Sequence, residues 1–131
     1  MIIAVADTHA LVWALLGDAR LSPAARTTMT VSPGGQIAVS AITLVDILYL
    51  EEKQRLPAGL LARITGELAA PGSVLVEIPS SAAVVGAMAA VSRTDVPDMP
   101  DRIIAGTAVR LRVPVISRDG KIRASSVATI W

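Results

Sequence analysis

Cysteine and phenylalanine are absent from the 131 residues, the aromatics reduce to Trp13, Tyr49 and Trp131, and His9 is the only histidine. Without cysteine, disulfides, thiolate metal sites and a cysteine nucleophile are excluded. Without phenylalanine, the core must be built from Ala, Val, Ile and Leu, which pack densely. Charge of one sign is also lacking, since 12 basic against 11 acidic residues leave a net charge of +1. Bulk attraction to a polyanion is therefore not expected, and any nucleic-acid contact must come from a local patch.

Long apolar runs are missing despite a mean hydropathy of +0.60. The longest uncharged run, Ile78 to Ser92, contains Pro79, Ser80, Ser81 and Gly86. It falls short of the ~20 apolar residues that a membrane span requires. The apolar N-terminus has no basic segment ahead of it, and Asp7 and His9 interrupt what would be a signal core. These features predict a soluble, cytoplasmic chain, mature from Met1, with no membrane association. The length fits a single domain over residues 1–131, because a second would be starved of core.

What is present alternates between strand and helix signals. Met1 to Ala6 is a continuous apolar run, as expected of a strand buried on both faces. Ala10 to Leu16 reads as a helix closed by Gly17, and Ser22-Pro23 as the start of another. A turn is expected at Ser32-Pro33-Gly34-Gly35. Gln36 to Val39 reads as a strand, Ser40 as the cap of a helix reaching about Lys53, and Ala58 to about Leu68 as a further helix. A strand over Val74 to Ile78, a helix over Ser81 to Val91 and a polar loop over Arg93 to Pro100 follow. Asp101 to Arg112 is then helical, Val113 to Ser117 a strand, and Val127 to Trp131 a fifth strand. The pattern predicts a three-layer α/β/α domain with a mainly parallel sheet of four to five strands.

Ligands of such sheets sit beyond the carboxyl ends of the strands. Asp7 and Asp119 lie at such ends, although a helix cap for Asp7 and an Asp-Gly turn for Asp119 account for them equally well. Asp46 stands in the apolar stretch Ala41 to Leu50, where an unpartnered buried carboxylate would be costly. The alternative is an exposed acid on a mixed face. Asp98 and Asp101 read as a capping pair, with Asp101 in the first helical turn. Together, Asp7, Asp46, Asp101 and Asp119 predict an acidic cluster that takes up protons or binds a cation. Two carboxylates ~4 Å apart repel by roughly 4 kcal/mol at an effective dielectric near 20. An all-oxygen site favours Mg²⁺ or Mn²⁺, which suits phosphodiester hydrolysis.

The blocks Asp7-Thr8-His9-Ala10-Leu11-Val12-Trp13, Val39-Ser40-Ala41-Ile42-Thr43-Leu44-Val45-Asp46-Ile47, Asp98-Met99-Pro100-Asp101-Arg102-Ile103-Ile104-Ala105 and Val115-Ile116-Ser117-Arg118-Asp119 occur in that order. In them the chain resembles the PIN-domain ribonucleases, most closely the VapC toxins of bacterial toxin–antitoxin pairs. The resemblance implies a PIN fold and a Mg²⁺- or Mn²⁺-dependent endoribonuclease. Such an enzyme blocks translation until a VapB-like antitoxin covers it, and it is typically a homodimer. By position, Asp7, Asp46, Asp101 and Asp119 become the catalytic quartet, with Asp7, Asp101 and Asp119 as metal ligands. Ser117 and Thr8 become supporting residues that orient a carboxylate or a water. Arg118, Lys121 and Arg123 could contact RNA phosphates, with a solvated loop as the alternative. His9 is read as a packing or hydrogen-bonding residue, and Arg102 as the partner of a neighbouring acid.

The resemblance departs at Asp46, where the family usually carries glutamate. One methylene less shortens the reach by about an ångström, and such a misplacement can cost ~100-fold in rate. A degenerate PIN domain that binds RNA or antitoxin without cutting is therefore the first rival. A phosphotransfer module is the second, but His9 stands where a phosphatase needs its second aspartate. Val74 to Ile78 ends in Pro79 rather than a phosphorylatable aspartate. No glycine-rich fingerprint follows the first strand, which disfavours a dinucleotide enzyme.

Overall fold

The computed structural model describes residues 1–30 and 34–131. Its elements are β1 (Ile2–Ala6), α1 (Thr8–Leu16), α2 (Pro23–Thr30), β2 (Gln36–Ser40), α3 (Ala41–Glu52), α4 (Leu60–Ala69), β3 (Leu75–Ile78), α5 (Ala82–Met88), α6 (Met99–Leu111), β4 (Val115–Ile116), α7 (Gly120–Ala124) and β5 (Thr129–Ile130). The strands form one sheet in the order β3-β2-β1-β4-β5, and every pair is parallel. The chain builds outward from β1 through β2 to β3, then crosses back to β4 and β5 on the other side. The strand order thus reverses between β1 and β4, where an open parallel sheet leaves a crevice at its carboxyl edge.

Alternation along β1 explains the layers. Ala4 and Ala6 join a core with Ala10, Leu11, Val12 and Trp13 of α1, Ile47 of α3 and Ile64 of α4. Val5, between them, points to the opposite core with Ile104, Ala105 and Ala108 of α6, Val115 of β4 and Ile122 of α7. Small side chains on β1 let helices approach both faces closely, and apart from Trp13 the two cores are aliphatic.

Local chemistry sets most boundaries where they were expected. Asp7 caps α1 by accepting the Ala10 N–H at 2.8 Å, and Gly17 closes it in the left-handed region at φ 64°. Ser22 and Ser40 cap α2 and α3 through the amides of Ala25 and Ile42. The Glu51 carboxylate reaches from α3 to accept the Leu61 N–H at 2.7 Å, serving the start of α4, where Gly59 has no side chain to cap with. The turn expected at Ser32-Pro33-Gly34-Gly35 falls partly outside the described residues, and within it Gly34 has φ 81°. The loop expected up to Pro100 is shorter than foreseen, because α6 already begins at Met99 behind its Asp98 cap. The Asp-Gly turn foreseen at Asp119-Gly120 is instead the first turn of the unforeseen helix α7. Among the described residues, no helix is long and apolar enough to cross a membrane.

Candidate functional site

Asp7 follows β1 directly, and its N–H continues the ladder to the Ile116 carbonyl of β4 at 3.1 Å. The side chain is only 5% exposed, with Oδ1 held by the Ala10 amide. Helix cap and recessed site acid are therefore the same residue. Burial raises the Asp7 pKa above the ordinary carboxylate value, while the neighbouring Ser117 hydroxyl, the Ala10 amide and His9 partly offset this and Asp119 adds to it.

Asp119 lies three residues past β4, and its Oδ1 accepts the N–H groups of Lys121 and Ile122 at 2.9 and 3.0 Å. The buried Ser117 hydroxyl accepts the Asp119 N–H at 3.0 Å, which fixes the turn that aims this carboxylate. Asp98 caps α6 through the Asp101 N–H at 3.0 Å, placing Asp101 in the first turn as expected. Asp101 is half-buried. Burial is the main cause that pushes its pKa up to about 7, with Asp98, Asp119, Asp7 and Asp46 each repelling its charged form.

Asp46 sits in the middle of α3 but is half-buried rather than enclosed in the core. The Thr8 hydroxyl donates to Asp46 Oδ2 at 3.0 Å and lies 3.3 Å from the buried Thr43 hydroxyl. Burial and Asp98 raise the Asp46 pKa, and Thr8 and His9 lower it. Asp46 thus has a partner in Thr8 and faces an opening, between the enclosed acid and the exposed acid that the sequence left as alternatives.

Two adjoining clefts contain these side chains. One, of about 330 Å³, is lined by Asp7, His9, Trp13, Arg20, Asp101, Arg118 and Asp119. The other, of about 420 Å³, brings Asp7, His9 and Asp101 together with Asp46, Asp98, Tyr49, Lys53 and Arg55. Asp7, His9 and Asp101 belong to both, so the four sequence-predicted acids share one continuous acidic floor. Among the described residues, no three acidic or histidine side chains already converge on a single point at ligand distance.

The remaining expectations divide. Of the two residues expected to orient a carboxylate or a water, Thr8 donates to Asp46 and Ser117 accepts the Asp119 N–H. Arg118 lines the first cleft with its guanidinium carbon 4.6 Å from the Trp13 ring centre, whereas Lys121 and Arg123 lie exposed on α7 outside both clefts. His9 is exposed, with its ring 5.5 Å from that of Trp13, and borders both carboxylate-lined spaces. Among the described residues Arg102 forms no ion pair with an acid, contrary to expectation; its guanidinium instead donates to the backbone carbonyls of Val91 and Met88 at 2.9 and 3.2 Å. Arg20, Lys53 and Arg55 were not foreseen. Tyr49, Leu50 and Lys53 follow Asp46 by three, four and seven residues. Helical spacing alone would have put them on its face.

The donor set fits a hard divalent cation. It is all carboxylate oxygen, and the mutual repulsion borne by Asp101 is what a bound cation would relieve. Asp7, Asp101 and Asp119 line the first cleft together, and Asp46 lines the adjoining one.

Comparisons agree with this architecture. The chain is similar to the VapBC2 complex of Rickettsia felis bound to a promoter DNA fragment, at 18% identity and TM-score 0.71, over 98% of this chain and 97% of that one. A toxin–antitoxin complex from Klebsiella pneumoniae matches at 25% identity and TM-score 0.68, over 98% and 96% of the two chains. FitAcB from Neisseria gonorrhoeae matches at 22% identity and TM-score 0.58, with the same coverage. No curated protein gave a sequence match. The family model of the PIN domain spans residues 4–126, nearly the whole chain and all four acids. The chain belongs to the PIN-domain family.

Proposed function

We propose that the chain is a VapC-type toxin: a cytoplasmic, homodimeric endoribonuclease, built as one domain over residues 1–131, that depends on Mg²⁺ or Mn²⁺. It cuts RNA to stop translation and is silenced by a cognate VapB-like antitoxin. The observation that carries this reading is the shared floor of Asp7, Asp46, Asp101 and Asp119 at the carboxyl edge of β1 and β4. The antitoxin partner draws on the Klebsiella toxin–antitoxin complex and on the Rickettsia VapBC2 structure.

A bound divalent cation would supply Lewis acidity at the phosphate and stabilise charge on the departing oxygen. The protein's own groups do the rest. The Ala10 amide and Ser117 keep Asp7 ionisable although it is recessed, and Asp119 is held rigid by two backbone amides. Thr8 holds Asp46 by one oxygen, so this shorter acid is aimed from the second cleft. With a pKa pushed up to about 7, chiefly by burial, Asp101 keeps its proton over much of the acidic range, and it would be one of the residues that hold a cation.

Incubating the purified protein with a structured RNA in Mn²⁺ should give cleavage that EDTA abolishes and that Asp7→Asn or Asp101→Asn reduces by at least ~100-fold. Cleavage indifferent to chelator and to both substitutions would exclude the metal nuclease. The second reading, a binding-only domain, is favoured by one observation: Asp46 is shorter than the usual glutamate and already engaged by Thr8. It predicts that Asp46→Glu raises cleavage well above that of the wild type.

A further inference from the structure

Among the described residues, the buried polar side chains are Asp7, Thr8, Ser40, Thr43, Thr107 and Ser117. All but one have a task already plain from the fold or the acids. Asp7 and Ser40 cap helices, Thr107 donates to the Ile103 carbonyl at 2.8 Å, and Thr8 and Ser117 serve Asp46 and Asp119. Thr43 is the exception, since it caps no helix and lines neither cleft. Its hydroxyl meets that of Thr8 at 3.3 Å. We infer that Thr43 is a positioning residue for Asp46, acting through the Thr8 hydroxyl, so that a chain of hydroxyls rooted in the core sets this short acid relative to Asp7. This deepens the nuclease reading and rests on it for the reaction served.

The orientation of Thr43 is the first support. A threonine inside a helix commonly donates to a carbonyl three or four residues back. Thr28, Thr30, Thr65 and Thr107 all do so. Among the described residues, Thr43 makes no such bond, and its hydroxyl faces α1 instead. The number of protons is the second support. Either hydroxyl can donate across the 3.3 Å contact, but Thr8 has a single hydroxyl hydrogen, and a carboxylate is the stronger acceptor. The shorter distance agrees, at 3.0 Å from Thr8 to Asp46 Oδ2. Thr43 is then the donor to Thr8. The two bonds run head to tail toward the carboxylate, each strengthening the other.

Placement along the helices is the third. Thr43 precedes Asp46 by three residues and so shares its face of α3, while Thr8 opens α1 directly after Asp7. The hydroxyl pair therefore ties the first turn of α1, which Asp7 caps, to the helix that carries Asp46. A lone hydroxyl rotates to suit its neighbours. With the Thr43 proton on its oxygen, Thr8 is left to direct its own proton at Asp46. That bond falls on Oδ2 and leaves Oδ1 of the short acid to the second cleft.

Urea denaturation in EDTA of the wild type, Thr43→Val, Asp46→Asn and the double variant measures the coupling without any cleavage. The midpoint shift of the double variant should differ from the sum of the two single shifts. That difference should vanish when Thr8→Val is added to all four proteins. In Mn²⁺, Thr43→Val should lower kcat on a structured RNA roughly tenfold and leave KM unchanged, because the buried hydroxyl touches no substrate. Thr43→Ser, which keeps the hydroxyl, should recover most of that loss. Additive shifts, a coupling that survives Thr8→Val, or a Thr43→Ser variant as slow as Thr43→Val would each overturn the inference even if the wild type cleaves. Coupling through Thr8 in a protein that never cleaves would uphold the hydroxyl chain and count against the nuclease reading alone.

Discussion

Asp101 is where the acids of the floor act on one another most plainly. Its unfolded carboxyl loses its proton near 3.8, whereas in the fold it is held to about 7. Between those values the native state binds the extra proton, so stability is greatest below the lower value and is lost as the pH rises through the upper one. In EDTA, the melting temperature should therefore fall from pH 4 to pH 7. Asp101→Asn should flatten that decline and be the more stable protein at pH 8, and a decline unchanged in the variant would remove Asp101 as its source. Three of the acids were legible because their neighbours locate them: Asp7 ends an apolar run, Asp119 follows another, and Asp101 lies three residues past a capping aspartate. Asp46 was legible as an anomaly, but its setting was not. Its burial depends on how α3 lies against Thr8, and residues 8 and 46 meet only in three dimensions.

Among the elements, α5 and α6 show how a short helix is held. A Cβ on Gly106 would come within 2.5 Å of the Met88 Cγ and 3.3 Å of the Met88 backbone, whereas one on Gly86 would meet nothing within 4 Å. The Met88 side chain can turn aside, but its backbone, carrying the carbonyl that Arg102 binds, must also shift. Gly106→Ala should cost about 1–3 kcal/mol in urea denaturation, and Gly86→Ala should instead add about 0.5–1 kcal/mol. Equal effects at the two glycines would mean that the helices do not pack as described. Element types were readable from apolar runs and caps, since those signals are local. The exception, α7, has five residues with glycine first, too few for a helical period to register. Its fully buried Ile122 anchors it in the second core, so packing rather than propensity makes it helical.

For the whole molecule, a cation that binds only the folded state adds stability by mass action. At a hundredfold excess over its dissociation constant, Mn²⁺ should raise the wild-type melting temperature at pH 8 by on the order of 10 °C. It should do little for an Asp7→Asn/Asp101→Asn variant. A matching rise in that variant would place the ion elsewhere. The α/β class followed from the alternation of elements, but the strand order did not, because nothing local says that β4 rather than β3 lies beside β1.

That order has a consequence for how the protein is made. β1 meets β2 early, through the register Val5 with Ala38, but it meets β4 through Val5 with Val115 and Ala6 with Ile116, near the far end of the chain. A nascent chain that has released β1, β2 and β3 carries Asp7 and Asp46 but neither Asp101 nor Asp119. The acidic floor is therefore completed late in synthesis, and on the proposed nuclease function an incomplete chain emerging from a ribosome would lack the means to attack the RNA around it.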